Sequence, residues 1–298
     1  MSSLHPMMHD DPTPSLDPGP TPPGACAPPA VKPELAGKPI GATPYSQPAA
    51  PPERFGVLTE CAPDDKAGLA RQICDVMRLM YSQEMVVAND GNVSARLPNG
   101  NILITASGVL KGFMTPDQII ECDPQGNSLD GRRVTTEVKM HVAAYQVRPD
   151  IRSVVHGHPI YAVAFSLAGI SLAECTIPEI IVTMGTIPTA PYATPSTYDL
   201  PDSLKAFLAK GDAVIMERHG VVTIGSSVFD AFKKMEMVEH TAKITHAART
   251  LGHVRPIAPP GVKALLETRK SLGIYTKNNL CDGCGAREVC AAPIYPAE

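Results

Sequence analysis

The run Ser153-Val154-Val155-His156-Gly157-His158-Pro159 constrains this chain more than any other segment. It reads as a strand ending in two histidines at i and i+2. Side chains alternate faces along a strand, so His156 and His158 point the same way. The fold must therefore contain a sheet with one strand end that presents two imidazoles together. Such a pair can bite one metal ion, as a zinc or similar site requires. A third histidine, His219, ends another apolar run, Ala213-Val214-Ile215-Met216-Glu217-Arg218-His219-Gly220. Three histidines with one position left open make a catalytic rather than a structural site.

Composition removes several classes of function. A formal net charge of −4 over 298 residues gives no general basic signal for nucleic acid or an anionic membrane. The chain has no tryptophan and little aromatic content, which argues against a base-stacking surface. No apolar stretch approaches the roughly 20 residues that cross a bilayer. No basic region followed by an apolar core marks a signal peptide. The eight cysteines are scattered, which fits reduced thiols in a cytoplasmic protein better than a disulfide framework.

Residues 1–52 are rich in Pro, Gly, Ala and Ser and poor in large apolar side chains, which predicts a disordered tail. Residues 53–256 read as the globular domain. Asp64 or Asp65 is expected to cap a helix striped by Leu69, Ile73, Val76, Met77 and Met80. Strands follow at Asn92–Leu97 and Asn101–Thr105, joined by the turn Pro98-Asn99-Gly100. Thr135 or Thr136 caps a helix to about Val147. The His156 strand comes next, then a helix from Pro159 to Ala168. A strand–turn–strand passes through His219, and a long helix runs from Val228 to Leu251. Hairpin signals outnumber crossovers, so the expectation is an α/β fold with a largely antiparallel sheet flanked by helices. Residues 257–298 read as a linker (Ile257 to Gly261), a short amphipathic helix bearing Val262, Leu265, Leu266 and Leu272, and a tail with Cys281, Cys284 and Cys290. That tail has half a zinc-site pattern and reads better as unpaired thiols.

Other segments carry weaker chemistry. Glu137 falls in the first turn of its expected helix, after Thr135-Thr136, where free N–H groups, hydroxyls and a carboxylate meet. This can bind an anion and hold a base beside it, or it can be a plain capping carboxylate. Gly91-Asn92-Val93-Ser94 and Thr105-Ala106-Ser107-Gly108 could cradle a phosphate, although ordinary turns use the same residues. The nearby Lys111 could add charge to such a loop, although a lone lysine is usually just solvated. His141, four residues after Glu137, could pair with it along one helix face.

Taken in order, Gly-Asn-Val-Ser, Thr-x-Ser-Gly, Thr-Thr-Glu, His-Gly-His-Pro and Arg-His-Gly resemble the class II aldolase/adducin family over about residues 64–250. Arg148-Pro149-Asp150 and Ala190-Pro191-Tyr192-Ala193-Thr194 belong to the likeness. The resemblance implies a three-layer α/β/α sandwich with a central, mostly antiparallel sheet, assembled as a homotetramer. It implies Zn2+ held by His156, His158 and His219, with Glu137 both in the metal set and the catalytic acid/base. Gly91, Asn92, Ser107, Gly108, Thr135 and Thr136 fall at the family's phosphate-binding positions. The implied reaction cleaves a phosphorylated ketose, L-fuculose 1-phosphate or L-rhamnulose 1-phosphate, to dihydroxyacetone phosphate and L-lactaldehyde. Relatives with the same metal perform epimerase, dehydratase or decarboxylase chemistry, and an adducin-like scaffold would have no reaction.

One departure concerns the aldehyde. Where aldolases of the family carry a tyrosine acting on the aldehyde oxygen, this chain has Ile177, followed by Pro178-Glu179. Glu179 could replace that acid or serve only structure. The linker and amphipathic helix at the C-terminus resemble peptides that bind the shell of a bacterial microcompartment. The same helix could instead pack on the domain, and could bring Tyr275 near a site.

Overall fold

The computed structural model describes residues 60–197 and 199–274. Asp65 caps helix α1 (Lys66–Ser82), its carboxylate accepting the Gly68 N–H at 2.8 Å. The expected stripe of Leu69, Ile73, Val76, Met77 and Met80 is buried. Strands β1 (Asn92–Arg96) and β2 (Ile102–Thr105) form the expected hairpin. Strand β3 (Ile119–Cys122) adds an edge to it.

Helix α2 spans Val138–Val147, so it begins later than Thr135-Thr136 suggested. Thr135 is held by a strand-like bond instead: its N–H donates to the Thr105 carbonyl at 3.2 Å, beside the bridge between Ala106 and Val134. Glu137 consequently occupies the N-cap position rather than the first turn, and its carboxylate makes no capping hydrogen bond. Strand β4 (Ser153–Gly157) leads into α3 (Ile160–Leu167). Then come α4 (Pro178–Thr183), the two-residue β5 (Thr189–Ala190), α5 (Asp199–Leu208), β6 (Ala213–Met216), β7 (Gly220–Gly225) and α6 (Val228–Leu251).

The seven strands form one sheet in the order β3-β2-β1-β4-β7-β6-β5. All neighbours are antiparallel except β5 and β6. Alternate side chains feed two cores. Val155, Leu103, Ile215 and Val221 pack on the side of α1, α3 and α6, whereas Val154, Ile102, Ile104 and Val222 pack on the side of α2 and α5. The result is the expected three-layer α/β/α sandwich around a mostly antiparallel sheet.

Helix α7 (Pro259–Ser271) starts inside the segment that reads as a linker, with its prolines in the first turn, where a missing N–H costs nothing. The Val262 face is covered, Val262 being 0% exposed and packed with Cys175 and Ile181, whereas Leu272 of the expected stripe falls at the C-cap and is 61% exposed. Arg269 Nη1 donates to the Val182 carbonyl at 2.7 Å. Cys281, Cys284, Cys290 and Tyr275 lie outside the described residues. Cys61, Cys74 and Cys122 are free thiols.

Candidate active site

β4 and β7 are neighbours, with His156 paired to Val222, and the β6–β7 turn carries His219 to the end of β4. His156, His158 and His219 thus meet, their ring centroids 4.9 to 5.3 Å apart. One nitrogen from each lies within 4.8 Å of the others. Gly220 allows this convergence. A Cβ there would stand 2.4 Å from the Gly157 carbonyl oxygen and under 3 Å from the rings of His158 and His156.

Each imidazole is held by its surroundings. His156 Nδ1 donates to the Val221 carbonyl at 3.0 Å, which turns Nε2 toward the centre of the cluster. His158 N–H donates to the Met85 carbonyl at 2.7 Å, and its Nδ1 lies 3.6 Å from Asp90 Oδ2. Burial pushes the His158 imidazole down to about 3, aided by the charges of His156 and His219, so it is neutral and ready to donate a lone pair.

Glu137 closes the fourth side. Its Oε2 is 3.1 Å from His156 Nε2, its Oε1 is 3.2 Å from His219 Nε2, and Asn92 Nδ2 donates to Oε2 at 2.8 Å. Burial alone pushes this carboxyl up. The charge and close approach of His156, the nearness of His219 and the Asn92 hydrogen bond reverse that and hold it well below the usual carboxylate range. For His156, burial works against the charge and the adjacent Glu137 more than offsets it, raising its pKa.

This donor set fits a zinc-type cation. Two nitrogens about 2.05 Å from one tetrahedral ion lie about 3.3 Å apart, and His156 Nε2 and His158 Nε2 are 3.2 Å apart. Glu137 Oε1 is buried without a hydrogen bond, so a cation among the three rings would satisfy it.

The remaining candidates distribute as follows. Gly91 directly precedes Asn92, and a Cβ there would meet the His156 carbonyl oxygen at 2.9 Å. Ser107 and Gly108 lie on the loop bound to the Thr135 segment, Ser107 N–H donating to the Arg133 carbonyl at 3.0 Å. Thr135 is buried and Thr136 exposed, both adjoining Glu137. The Asn92 side chain is committed to Glu137. His141 does not pair with Glu137 directly but reaches it through Asn92. Glu179 is exposed in the first turn of α4, where Ile177 is the N-cap. Among residues that the sequence did not single out are Asp90 beside His158, Tyr145 beneath the site, and Glu239, whose carboxylate accepts the N–H groups of Tyr161 and Ala162.

A three-layer fold that gathers three histidines and a carboxylate at the ends of its central strands is that of a class II aldolase-type protein. The chain belongs to the Class II Aldolase and Adducin N-terminal domain family, whose profile matches residues 71–246. An "L-fuculose phosphate aldolase" of Methanococcus maripaludis is 32% identical over 177 residues, covering 59% of this chain and 95% of that protein. A "3-oxo-tetronate 4-phosphate decarboxylase" of Escherichia coli is 29% identical over 180 residues, covering 59% of this chain and 85% of that protein. The crystal structure of YgbL from Escherichia coli, described as a putative aldolase/epimerase/decarboxylase, superposes with a TM-score of 0.63 at 26% identity, covering 67% of this chain and 99% of that one. Class II aldolases are metal-dependent lyases, typically zinc enzymes, that bind phosphorylated sugars. No helix among the described residues is long and apolar enough to cross a membrane.

Proposed function

We propose that this chain is a zinc-dependent aldolase that cleaves a ketose 1-phosphate, L-fuculose 1-phosphate or L-rhamnulose 1-phosphate, to dihydroxyacetone phosphate and L-lactaldehyde. The observation that carries the reading is Glu137, whose two oxygens lie 3.1 and 3.2 Å from two of the three clustered histidines. Zinc held by His156, His158 and His219 would supply Lewis-acid polarisation of the substrate's oxygens. Carbon–carbon cleavage leaves an enediolate that needs a proton at carbon. Glu137 is placed to hold that proton on a carboxylate oxygen and deliver it, because its position is fixed by Asn92. Gly91, Ser107, Gly108, Thr135 and Thr136 form the proposed phosphate cradle, with Asn92 contributing its backbone. Holding the phosphate there registers the reacting carbons against Glu137.

A second reading keeps the same site and changes the bond broken: decarboxylation of a phosphorylated 3-oxo acid. The 29%-identical decarboxylase favours it, as does an apolar Ile177 where the aldolase reading wants a tyrosine. Both reactions end in protonation of an enediolate or enolate by Glu137.

Zinc-loaded protein should release dihydroxyacetone phosphate from L-fuculose 1-phosphate, read by coupled reduction of the product. Glu137→Gln and His156→Ala should each lower turnover by about 10²-fold or more. Unchanged turnover in both would refute the site assignment, and carbon dioxide release from 3-oxo-tetronate 4-phosphate alone would select the second reading. The proposal includes a cytoplasmic homotetramer. It also includes packaging in a bacterial microcompartment through α7, which would compete with the contact Val262 makes to Cys175 and Ile181. Deleting residues 257–298 and asking whether a co-expressed shell still captures the enzyme tests that part.

A further inference from the structure

Five side chains form one hydrogen-bonded line that ends on Glu137. Glu137, His141 and Tyr145 recur every four residues, on one face of α2 and its N-cap. Asn92 and Ser94 are two apart on one face of β1. Helix and strand interleave them. Tyr145 Oη lies 2.8 Å from Ser94 Oγ, and Ser94 Oγ lies 2.7 Å from His141 Nδ1. His141 Nε2 meets Asn92 Oδ1 at 2.5 Å, and Asn92 Nδ2 donates to Glu137 Oε2 at 2.8 Å. Asn92, Ser94, His141 and Tyr145 are all buried.

The direction of every donor follows from the Glu137 end. An ionised carboxylate only accepts, so Asn92 must turn its NH₂ to Glu137 and its oxygen to His141. That oxygen only accepts, so His141 carries its hydrogen on Nε2. Nδ1 is then an acceptor, filled by the Ser94 hydroxyl, and Ser94 accepts in turn from Tyr145. Read the other way, the His141 tautomer decides which end of the Asn92 amide faces the carboxylate. The two ends are nearly isosteric, so shape alone would not choose between them, and the wrong one would aim an oxygen at Glu137.

We propose that His141, steered by Ser94 and Tyr145, is a positioning residue that locks the Asn92 amide with its NH₂ on Glu137 and so fixes the proton-transferring carboxylate. Burial, with the charge of His156, pushes the His141 imidazole down to about 3, so the ring is neutral, as a fixed tautomer requires. The role in turnover rests on the reading of Glu137 as the acid/base. The arrangement of the line does not.

The test uses the full chain, zinc-loaded, with wild type, His141→Leu, His141→Gln and Tyr145→Phe. His141→Leu should lower kcat by about 10- to 100-fold with KM within about threefold of wild type, the range for residues that orient a site group. His141→Gln should restore most of kcat, because its amide can donate to Asn92 Oδ1. Nitrogen-15 spectra of wild type should show His141 as the neutral Nε2–H tautomer, and Tyr145→Phe should mix the tautomers even if His141→Leu fails to fold. Zinc content should be the same in every folded variant. A kcat for His141→Leu within twofold of wild type, or a wild-type Nδ1–H tautomer, overturns the proposal. If wild type cleaves none of the sugar phosphates, the aldolase reading fails, and the tautomer measurement still decides the hydrogen-bonded line.

Discussion

Lys111 is 2% exposed, and its Nζ donates to the Ala106 carbonyl at 2.8 Å. No carboxylate among the described residues lies within ion-pair distance of it. Burial pushes the amine down to about 8, against the opposite pull of Asp90 and Glu137. The sign follows directly. An unfolded lysine titrates near 10.4, so between about pH 8 and 10.4 the unfolded chain binds more protons than the folded one, and stability rises with pH across that window. Below pH 8 the full penalty is present, on the order of 3 kcal/mol. Lys111→Met should therefore melt higher than wild type at pH 7, the lost bond to Ala106 notwithstanding. By about pH 10.5 the order should reverse, because the penalty is gone and only that bond still differs. Melting curves at the two pH values check this, and a variant that melts lower at pH 7 would contradict it. Sequence patterning pointed to a solvated lysine here because the segment is inverted: Leu110 and Phe113 are exposed and the lysine between them is buried.

At the scale of elements, α3 depends on a residue far from it in sequence. Its N-terminus follows directly after His158-Pro159, and no side chain of its own caps it. The buried Glu239 of α6 does so instead, accepting N–H groups from Tyr161 and Ala162 at 3.1 to 3.2 Å. A carboxylate there answers both the free donors and the helix dipole. Glu239→Ala should cost about 2 kcal/mol, and should also weaken zinc binding about tenfold by loosening the segment that carries His158. Calorimetry and metal titration would show both, and unchanged zinc affinity would mean that α3 does not steer His158. This interaction was not legible in the sequence, since it spans 77 or 78 positions. What was legible was local. Asp65 as a cap, the α1 stripe, the β1–β2 turn and the full length of α6 follow from periodicity and capping. The start of α2 lies later than capping signals suggest because the Thr135 N–H is taken by the Thr105 carbonyl, next to an Ala106–Val134 bridge that only the tertiary fold supplies. The stretch holding α4, β5 and α5 lacked a readable pattern because β5 has two residues, α4 has six, and α5 carries Pro201 in its first turn.

For the whole molecule, the strand order explains why three histidines separated by as many as 63 positions (219 minus 156) share one site. β4 is central, β7 flanks it, and the turn feeding β7 must end beside the end of β4. The pair His156 and His158 was readable from alternation alone. Their union with His219 and Glu137 needed the sheet and the position of α2. That union has a thermodynamic consequence. Glu137 Oε1 and His219 Nδ1 are buried with no hydrogen-bond partner among the described residues, and a buried polar atom left so costs about 1–3 kcal/mol. A cation on the three rings would satisfy the first of these and would bind the folded chain far better than the unfolded one. Free zinc at about a thousand times its Kd should add about 4 kcal/mol, or about 10 °C in Tm at 2–4 °C per kcal/mol for a domain of this size. Removing zinc with a chelator should lower Tm by that amount and readdition should restore it, while His156→Ala should show little response to either. Equal melting temperatures for chelated and zinc-loaded wild type would show that these four side chains are held by the fold alone, and the metal-centred reading of the site would fall with that result.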